Sequence, residues 1–512
     1  MLQKDNTTFL GVELGSTRIK AVAINESFIP VSSGDYSWKA SYKDDIWTYD
    51  LEDVWKGLKE AVSGISNKGS IKAMGISAMM HGYLAFDKDW NLLVPFRTWQ
   101  NTITGEASKE LTEVFGFNIP QRWSIAHLYQ AILNGEEHVS KIAHITTLAG
   151  YVHYMLTDMN CIGIGEASGM FPIDSDNLCY DRDMIEKFNV LIAEKHLPWK
   201  LEELLPNVLV AGQKAGILTT QGAKRLGGLL EAGIQMAPPE GDAGTGMTAT
   251  NAIAPRTGNI SAGTSVFSMV VLEKMLSKVH PEIDIVTTPS GRPVAMVHCN
   301  NCTSDMNVWV RMFAEAVKLF GCEVDTGELY TKLYQKSLEG STDCDGITVY
   351  NYLAGEPVTG FDEGRPVVVR DSDSSFGLAD FIRAQLYSTM ATLAIGMDIL
   401  YSENVGIDRM MGHGGLFKTP VVGQKYMAAA INAPVWIMET AGEGGPYGMA
   451  ILASFITEGN GFSLEMYLEK KVFSSAKGKV MEPDEKDVSG FNEYLKRFRD
   501  GLPVEKAAAE YL

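Results

Sequence analysis

Thr8-Phe9-Leu10-Gly11-Val12-Glu13-Leu14-Gly15-Ser16-Thr17-Arg18-Ile19-Lys20-Ala21-Val22-Ala23-Ile24 reads as two apolar strands around a Gly-Ser-Thr corner, the signature of a β-hairpin. Downstream, Leu51, Val54, Trp55, Leu58, Val62 and Ile65 recur at helical spacing, and a short apolar strand follows at 71–77. Strand, helix, strand predicts an α/β domain. A hairpin of the same kind stands at Gly258-Asn259-Ile260-Ser261-Ala262-Gly263-Thr264-Ser265-Val266-Phe267-Ser268-Met269-Val270-Val271, where Ser261 to Ser265 align with Glu13 to Thr17. Such corners recur by chance, but each of these heads about half of the chain. That position predicts two halves built on one plan, joined near Ala254-Pro255-Arg256-Thr257.

The rest of the second half fits this plan. A long helical segment is expected at 376–401, then a strand and turn through Arg409-Met410-Met411-Gly412-His413-Gly414-Gly415, then a helix at 420–431. Val435-Trp436-Ile437-Met438 reads as a strand, and Gly442 to Gly448 as a turn entering an Ala-rich helix. Residues 475–489 are charged and turn-rich, which predicts a surface connection, and 491–512 predict terminal helical packing.

Composition sets the outer bounds. With 512 residues, 45% hydrophobic and 21% charged, the chain is core-forming and too long for one core, which excludes disorder and calls for at least two large domains. A formal charge of −19 argues against general binding to nucleic acid or anionic lipid. The polar N-terminus and the lack of any long apolar run predict a cytoplasmic protein. Six cysteines without framework spacing fit reduced thiols, and Cys299-Asn300-Asn301-Cys302 reads as a packed turn in preference to zinc, since no second pair completes a ligand set.

Amides exposed in Gly-Ser-Thr corners can surround phosphate oxygens, so two such corners suit a polyphosphate. Neither GxxxxGK[ST] nor GxGxxG between strand and helix is present, so any nucleotide is held by another architecture. Glu13 lies on an otherwise apolar strand, where a carboxylate needs a cation or donors; a salt-bridged strand-edge glutamate is the plainer reading. Asp242, in Glu240-Gly241-Asp242-Ala243-Gly244, is either a helix N-cap or a group facing a ligand, and both hold only if its second oxygen faces outward. Met80-His81-Gly82 and Trp99-Gln100-Asn101-Thr102 offer an apolar wall with hydrogen-bonding groups suited to a polyol, though a lone histidine is more often structural.

Taken in order, these motifs resemble the FGGY carbohydrate kinases, of xylulokinase-like or ribulokinase-like type, over most of the chain from Leu10 to Ser454. The resemblance implies two actin-like (ribonuclease H-like) α/β domains flanking a deep catalytic cleft, an N-terminal sugar-binding domain at 1–254 and a C-terminal ATP-binding domain at 255–512. It implies ATP and Mg²⁺, with Asp242 as general base and Glu13 orienting the metal through water. Gly15, Ser16, Thr17 and Lys20 would hold the transferred phosphoryl group, Gly263 and Thr264 the same polyphosphate, and Gly414, Gly415 and Gly448 the adenosine region. Met80, His81, Trp99, Asn101 and Asp242 would meet the sugar. The expected acceptor is a pentulose, with a polyol or aldonate as the alternative, and an actin-like ATP-binding sensor without sugar chemistry as a third reading. Related kinases are often homodimers. The family usually has Asp in place of Glu13, and a Trp-x-Asp-x-Arg stretch where this chain has Asn101 and Ile103.

Overall fold

The structure, a computed structural model, describes residues 7–438, 444–476 and 478–512. The chain forms two compact units. Unit 1 takes Met1–Ile253 and two later segments, Asp284–Val294 and Gly442–Ser475; unit 2 takes the remainder. Residues 442 and 443 of the glycine-rich turn lie outside the described residues.

In unit 1, β1 (Thr8–Leu14), β2 (Arg18–Asn25) and β3 (Pro30–Ser37) form an antiparallel meander. After helix α1 (Leu51–Ser63), strand β4 (Ile71–Ala78) lies parallel to β1, with Leu14 opposite Ala78. Helices α2 (Ser124–Leu133), α3 (Leu148–Thr157) and the single turn α4 (Ile164–Ala167) follow. Two short strands, β5 (Gln235–Met236) and β6 (Glu240–Gly241), then pair parallel with β4 and lead into α5 (Asp242–Ala249). The carboxyl ends of β1, β4 and β6 therefore share one edge of the sheet, the position from which parallel α/β sheets present functional loops.

Unit 2 repeats this plan. The strands β7 (Thr257–Ala262) and β8 (Val266–Val271) are an antiparallel hairpin, with β9 (Pro293–Cys299) beside β8. Helices α6 (Ser304–Leu319) and α7 (Leu378–Ser402) precede β10 (Arg409–His413), which lies parallel to β7. Then α8 (Val422–Ile431) leads to β11 (Val435–Met438), parallel to β10. The next helix, α9 (Gly444–Glu458), belongs to unit 1. Back in unit 2, β12 (Gly478–Met481) pairs antiparallel with β11, and α10 (Glu485–Asp500) and α11 (Leu502–Tyr511) end the chain. The order of strands is thus β3-β2-β1-β4-β5 in one unit and β9-β8-β7-β10-β11 in the other. The expected surface connection at 475–489 is replaced by β12 and the first turn of α10, whose N-cap Asp484 accepts hydrogen bonds from Lys486 and Asp487 amides. Its charged residues belong to an edge strand and a capped helix start, both of which tolerate them.

Side-chain alternation explains how α9 enters unit 1. On β1, Leu10, Val12 and Leu14 pack with Val54, Leu58 and Val62 of α1. Phe9, Gly11 and Glu13 take the opposite face. There Gly11 on β1 and its register partner Gly75 on β4 let α9 rest directly on the backbone: a Cβ on Gly11 would overlap the Pro446 carbonyl, and one on Gly75 would overlap the Met449 side chain. Gly448 of α9 meets α5 as closely, against the Thr245 carbonyl.

Candidate active site

The β1–β2 corner is built so that its carbonyls face protein. The amide of Gly15 donates to the Arg18 carbonyl at 2.9 Å and closes the turn. The Trp38 indole donates to the Gly15 carbonyl (2.7 Å), the Tyr49 hydroxyl to the Ser16 carbonyl (2.7 Å) and the Trp38 amide to the Thr17 carbonyl (3.1 Å). Trp38 and Tyr49 are buried and pack ring to ring at 4.4 Å. The amides of Ser16 and Thr17 donate to nothing among the described residues. A corner whose carbonyls are all engaged and whose successive amides are unengaged is an anion cradle. Lys20 sits opposite Glu13 in the β1–β2 register.

Asp242 begins α5, with Gly241 as N-cap. Its Oδ1 accepts from the amides of Ala243 (3.0 Å) and Met80 (3.1 Å), the second of these tying it to the end of β4. Oδ2 accepts no hydrogen bond among the described residues. The N-cap reading of this residue does not hold, since Gly241 takes that position and Asp242 is the first helical residue; one oxygen is fixed by the Ala243 and Met80 amides and the other is unengaged among the described residues. Desolvation by the surrounding protein lifts the carboxyl to about 6, although the residue is open to solvent on one side, while the Met80 and Ala243 amides pull it down. Thr245, one turn on, donates to the Gly241 and Asp242 carbonyls and shares a hydrogen bond with Ser77 on β4.

Three more carboxyls surround this strand end. Burial pushes Glu13 up to about 8; the Asp242 charge adds to the shift and Lys20 opposes it. Glu240, one residue from the β6–α5 junction, is buried and lifted to about 8 by desolvation. Its Oε2 accepts the Glu166 amide at 3.0 Å, and its Oε1 has no hydrogen-bond partner among the described residues. Glu166 on α4 is fully buried, and burial, with the charges of Asp242 and Glu240 adding and the Thr147 side chain opposing, drives it well above the usual carboxylate range. Glu166 and Glu240, so enclosed, stay protonated at neutral pH, whereas Glu13 is half-buried beside Lys20. Among the described residues no group of three or more acidic, histidine or cysteine side chains is arranged to hold a metal ion. A cation at Glu13 would have to draw its other ligands from water and phosphate, which is the habit of Mg²⁺.

The β4 exit carries the sugar-cleft motif. Met80 is buried, and its side chain lies against Gly241 and Gly169. His81 adopts φ 72° and Gly82 φ 97°, a turn unusual for a non-glycine residue. The His81 ring is buried, bonded through Nδ1 to the Gly169 carbonyl (3.2 Å) and stacked on Trp123. Reciprocal hydrogen bonds between the Tyr83 and Arg97 backbones bring the 97–101 stretch beside this turn. There Trp99 is 39% exposed, whereas Asn101 is buried and its amide is used internally. Asn101 Oδ1 accepts the Trp47 amide (2.8 Å), and Nδ2 donates to the carbonyls of Trp47 and Thr98. The position expected to meet a sugar thus pins two loops together.

The corner in unit 2 repeats the device of the first. The Gly263 amide donates to the Ser265 carbonyl, the Thr303 amide and hydroxyl donate to the Gly263 carbonyl, and the Cys302 amide donates to the Thr264 carbonyl. The amides of Thr264 and Ser265 donate to nothing among the described residues. Ser261 and His413 are register partners, so Gly263–Thr264 and Gly414–Gly415 leave the sheet at the same end of adjacent parallel strands. Gly414 has φ 101° and Gly415 has open space where a Cβ would stand. Gly448 lies in unit 1, buried between α9 and α5.

Thus unit 1 brings together Glu13, Gly15, Ser16, Thr17, Lys20, Met80, His81 and Asp242 at one sheet edge, and unit 2 brings together Gly263, Thr264, Gly414 and Gly415. Sequence reading did not single out Trp38, Tyr49, Thr245, Glu166 or Glu240. The signal for the two glutamates was present: each is an acid inside an otherwise small, apolar stretch. The aromatics act through one atom each from outside any motif, and only their place in the fold reveals it.

Residues 8–246 match the N-terminal domain, and residues 258–456 the C-terminal domain, of the FGGY family of carbohydrate kinases. A xylulose kinase of Haemophilus influenzae is 22% identical over 474 residues, covering 85% of this chain and 91% of that protein. The structure of ligand-bound xylulose kinase from Lactobacillus acidophilus aligns with a TM-score of 0.81 at 17% identity, covering 98% of this chain and 99% of that one. Gluconate kinase from Lactobacillus acidophilus aligns with a TM-score of 0.81 at 16% identity, covering 99% of both chains. The chain shares their fold, the two-domain actin-like ATPase architecture.

Proposed function

Since this chain belongs to the FGGY family of carbohydrate kinases and is a sugar kinase, we propose that it moves the γ-phosphoryl group of ATP to a hydroxyl of a ketose, most directly a pentulose such as xylulose or ribulose. The observation that carries this reading is the state of Asp242. One carboxylate oxygen is fixed by the Met80 and Ala243 amides and the other is unengaged, beside the β4 exit that carries Met80 and His81. A base so held needs no reorganisation to accept a proton from an acceptor hydroxyl. Its proton affinity, centred at about 6, leaves it mostly ionised at neutral pH yet basic enough to act.

The remaining roles follow from the two units, each taken by itself. The unengaged amides of Ser16 and Thr17 stabilise charge on the phosphoryl oxygens, with Lys20 adding positive charge, and the amides at Thr264 and Ser265 offer the same cradle to the polyphosphate. Gly414 and Gly415 admit the adenosine close to the backbone. Glu13 would hold Mg²⁺, which when bound with the nucleotide would neutralise phosphate charge. Met80, His81 and Trp99 form the wall against which the sugar is aligned.

Coupled-assay turnover across a ketose, a polyol and an aldonate, for wild type and Asp242→Asn, tests the reading. The variant should keep ATP binding and lose turnover by ~10²–10⁴-fold, the worth of a positioned base. Near-normal turnover in the variant removes Asp242 from its role. Preference for an aldonate or polyol overturns the pentulose assignment, and ATP hydrolysis that yields no phosphorylated sugar with any acceptor favours an ATP-binding sensor.

A further inference from the structure

Glu13 reaches the α9 face of the sheet, where the first turn of that helix passes over its carboxyl. We propose that Gly445 is a positioning residue for Glu13: the absence of a side chain at 445 is what gives the longer acid its place, so that positions 13 and 445 act as one steric unit. A Cβ built on Gly445 would overlap Glu13 Oε2 and Cδ and would stand 3.0 Å from Thr245 Oγ1. Thr245 cannot yield, whereas the half-buried Glu13 can yield only by moving its carboxyl off this position. Thr245 is held by the Gly241 and Asp242 carbonyls and by Ser77. Glu13 is flanked by Lys20 on β2 and Ser77 on β4. The side away from α9 is the packed α1 face of the same sheet.

Gly445 precedes Pro446, where a Cβ in helical backbone is already disfavoured, and the contact with Glu13 is a second, separate constraint. Gly444 has φ 67°, in the left-handed region, but Gly445 does not, and it lies inside the helix. Of the two constraints, only the lack of space depends on residue 13. A methyl group at 445 must drive the Glu13 carboxyl from its place at the sheet edge, while shortening residue 13 to aspartate withdraws the carboxyl by one methylene and clears the volume.

The consequence for catalysis rests on the function proposed above; the steric coupling does not. Gly445→Ala, Glu13→Asp and the double variant are to be compared with wild type by thermal unfolding without nucleotide, and by turnover as a function of Mg²⁺ concentration. Gly445→Ala should lower the unfolding temperature by about 5 °C, as overpacking does. It should also cut turnover at least about tenfold and raise the Mg²⁺ needed for half-maximal rate. Adding Glu13→Asp should restore most of both losses. If Gly445→Ala does not fold and the double variant does, the coupling stands; if neither folds, the obstruction is not Glu13 and the proposal falls. It falls equally if the two substitutions are additive in unfolding temperature, or if Gly445→Ala behaves as wild type. Coupling in unfolding temperature without sugar phosphorylation by any of the four proteins upholds the inference and removes the functional reading beneath it.

Discussion

Glu240→Gln is a near-isosteric exchange that removes one proton equilibrium and little else. The buried Glu240 carboxyl keeps its Oε2 on the Glu166 amide, and a glutamine carbonyl can accept that bond equally well. Burial raises this acid from 4.5 to about 8. Between those values the folded protein holds a proton that the unfolded chain releases. Stability that is fully present below about pH 4.5 is therefore lost as pH rises toward about 8. At ~1.4 kcal/mol per pH unit the ceiling on this loss is roughly 5 kcal/mol. Relaxation of the surroundings and water entry bring the expected value to about 2 kcal/mol. That corresponds to about 4–8 °C in unfolding temperature for a large domain. Thermal unfolding of wild type and variant between about pH 5 and 9 is the assay. The two curves should coincide at the acid end, with the variant pulling ahead as pH rises. Parallel curves, or a wild type that gains on the variant in alkali, would show that Glu240 is not held protonated and would undo the account of the buried acids.

Other consequences of the geometry are as direct. Because Asp242 titrates at about 6 and must be ionised to accept a proton, kcat/KM should rise with pH through that value in wild type, and a rate independent of pH from about 4.5 to 7 would contradict the assignment. Tyr49→Phe removes the donor to the Ser16 carbonyl and loosens the first corner; the KM for ATP should rise several-fold with kcat little changed and stability down by about 1 kcal/mol, and an unaltered KM would show that the corner needs no outside support. Asn101→Ala leaves the Trp47 amide and carbonyl without their buried partner, so the loss should appear as about 2 kcal/mol of stability; a raised KM for the sugar at unchanged unfolding temperature would return Asn101 to the acceptor site.

Periodicity made much of the architecture readable. The alternation in 8–24 and 258–271 specifies hairpins because a strand with one covered face must repeat every second residue, and both appear in the predicted places. Asp242 was legible as a carboxylate at a helix start with small neighbours that leave it open to approach, but its expected place as N-cap went to Gly241, and its fixing by the Met80 amide from another strand was not legible. Asn101 was less legible: its chemistry suits a sugar hydroxyl and a peptide group equally, and only the approach of Trp47 from far along the chain settled that its amide meets backbone. The charged 475–489 stretch concealed β12, because an edge strand satisfies its polar side chains in solvent and leaves no apolar signature.

By itself, then, the amino-acid order determined the two repeated hairpins, the glycine corners and the family to which the chain belongs, since each is a local pattern written in consecutive residues. Tertiary structure alone decided that α9 leaves the second half to lie on β1 and β4, that Trp38 and Tyr49 turn the first corner's amides outward, and that Glu13 shares its volume with Gly445. Those outcomes depend on contacts between segments separated by tens to hundreds of residues, and packing of that kind follows from the volume left between folded elements, which no stretch of sequence encodes alone.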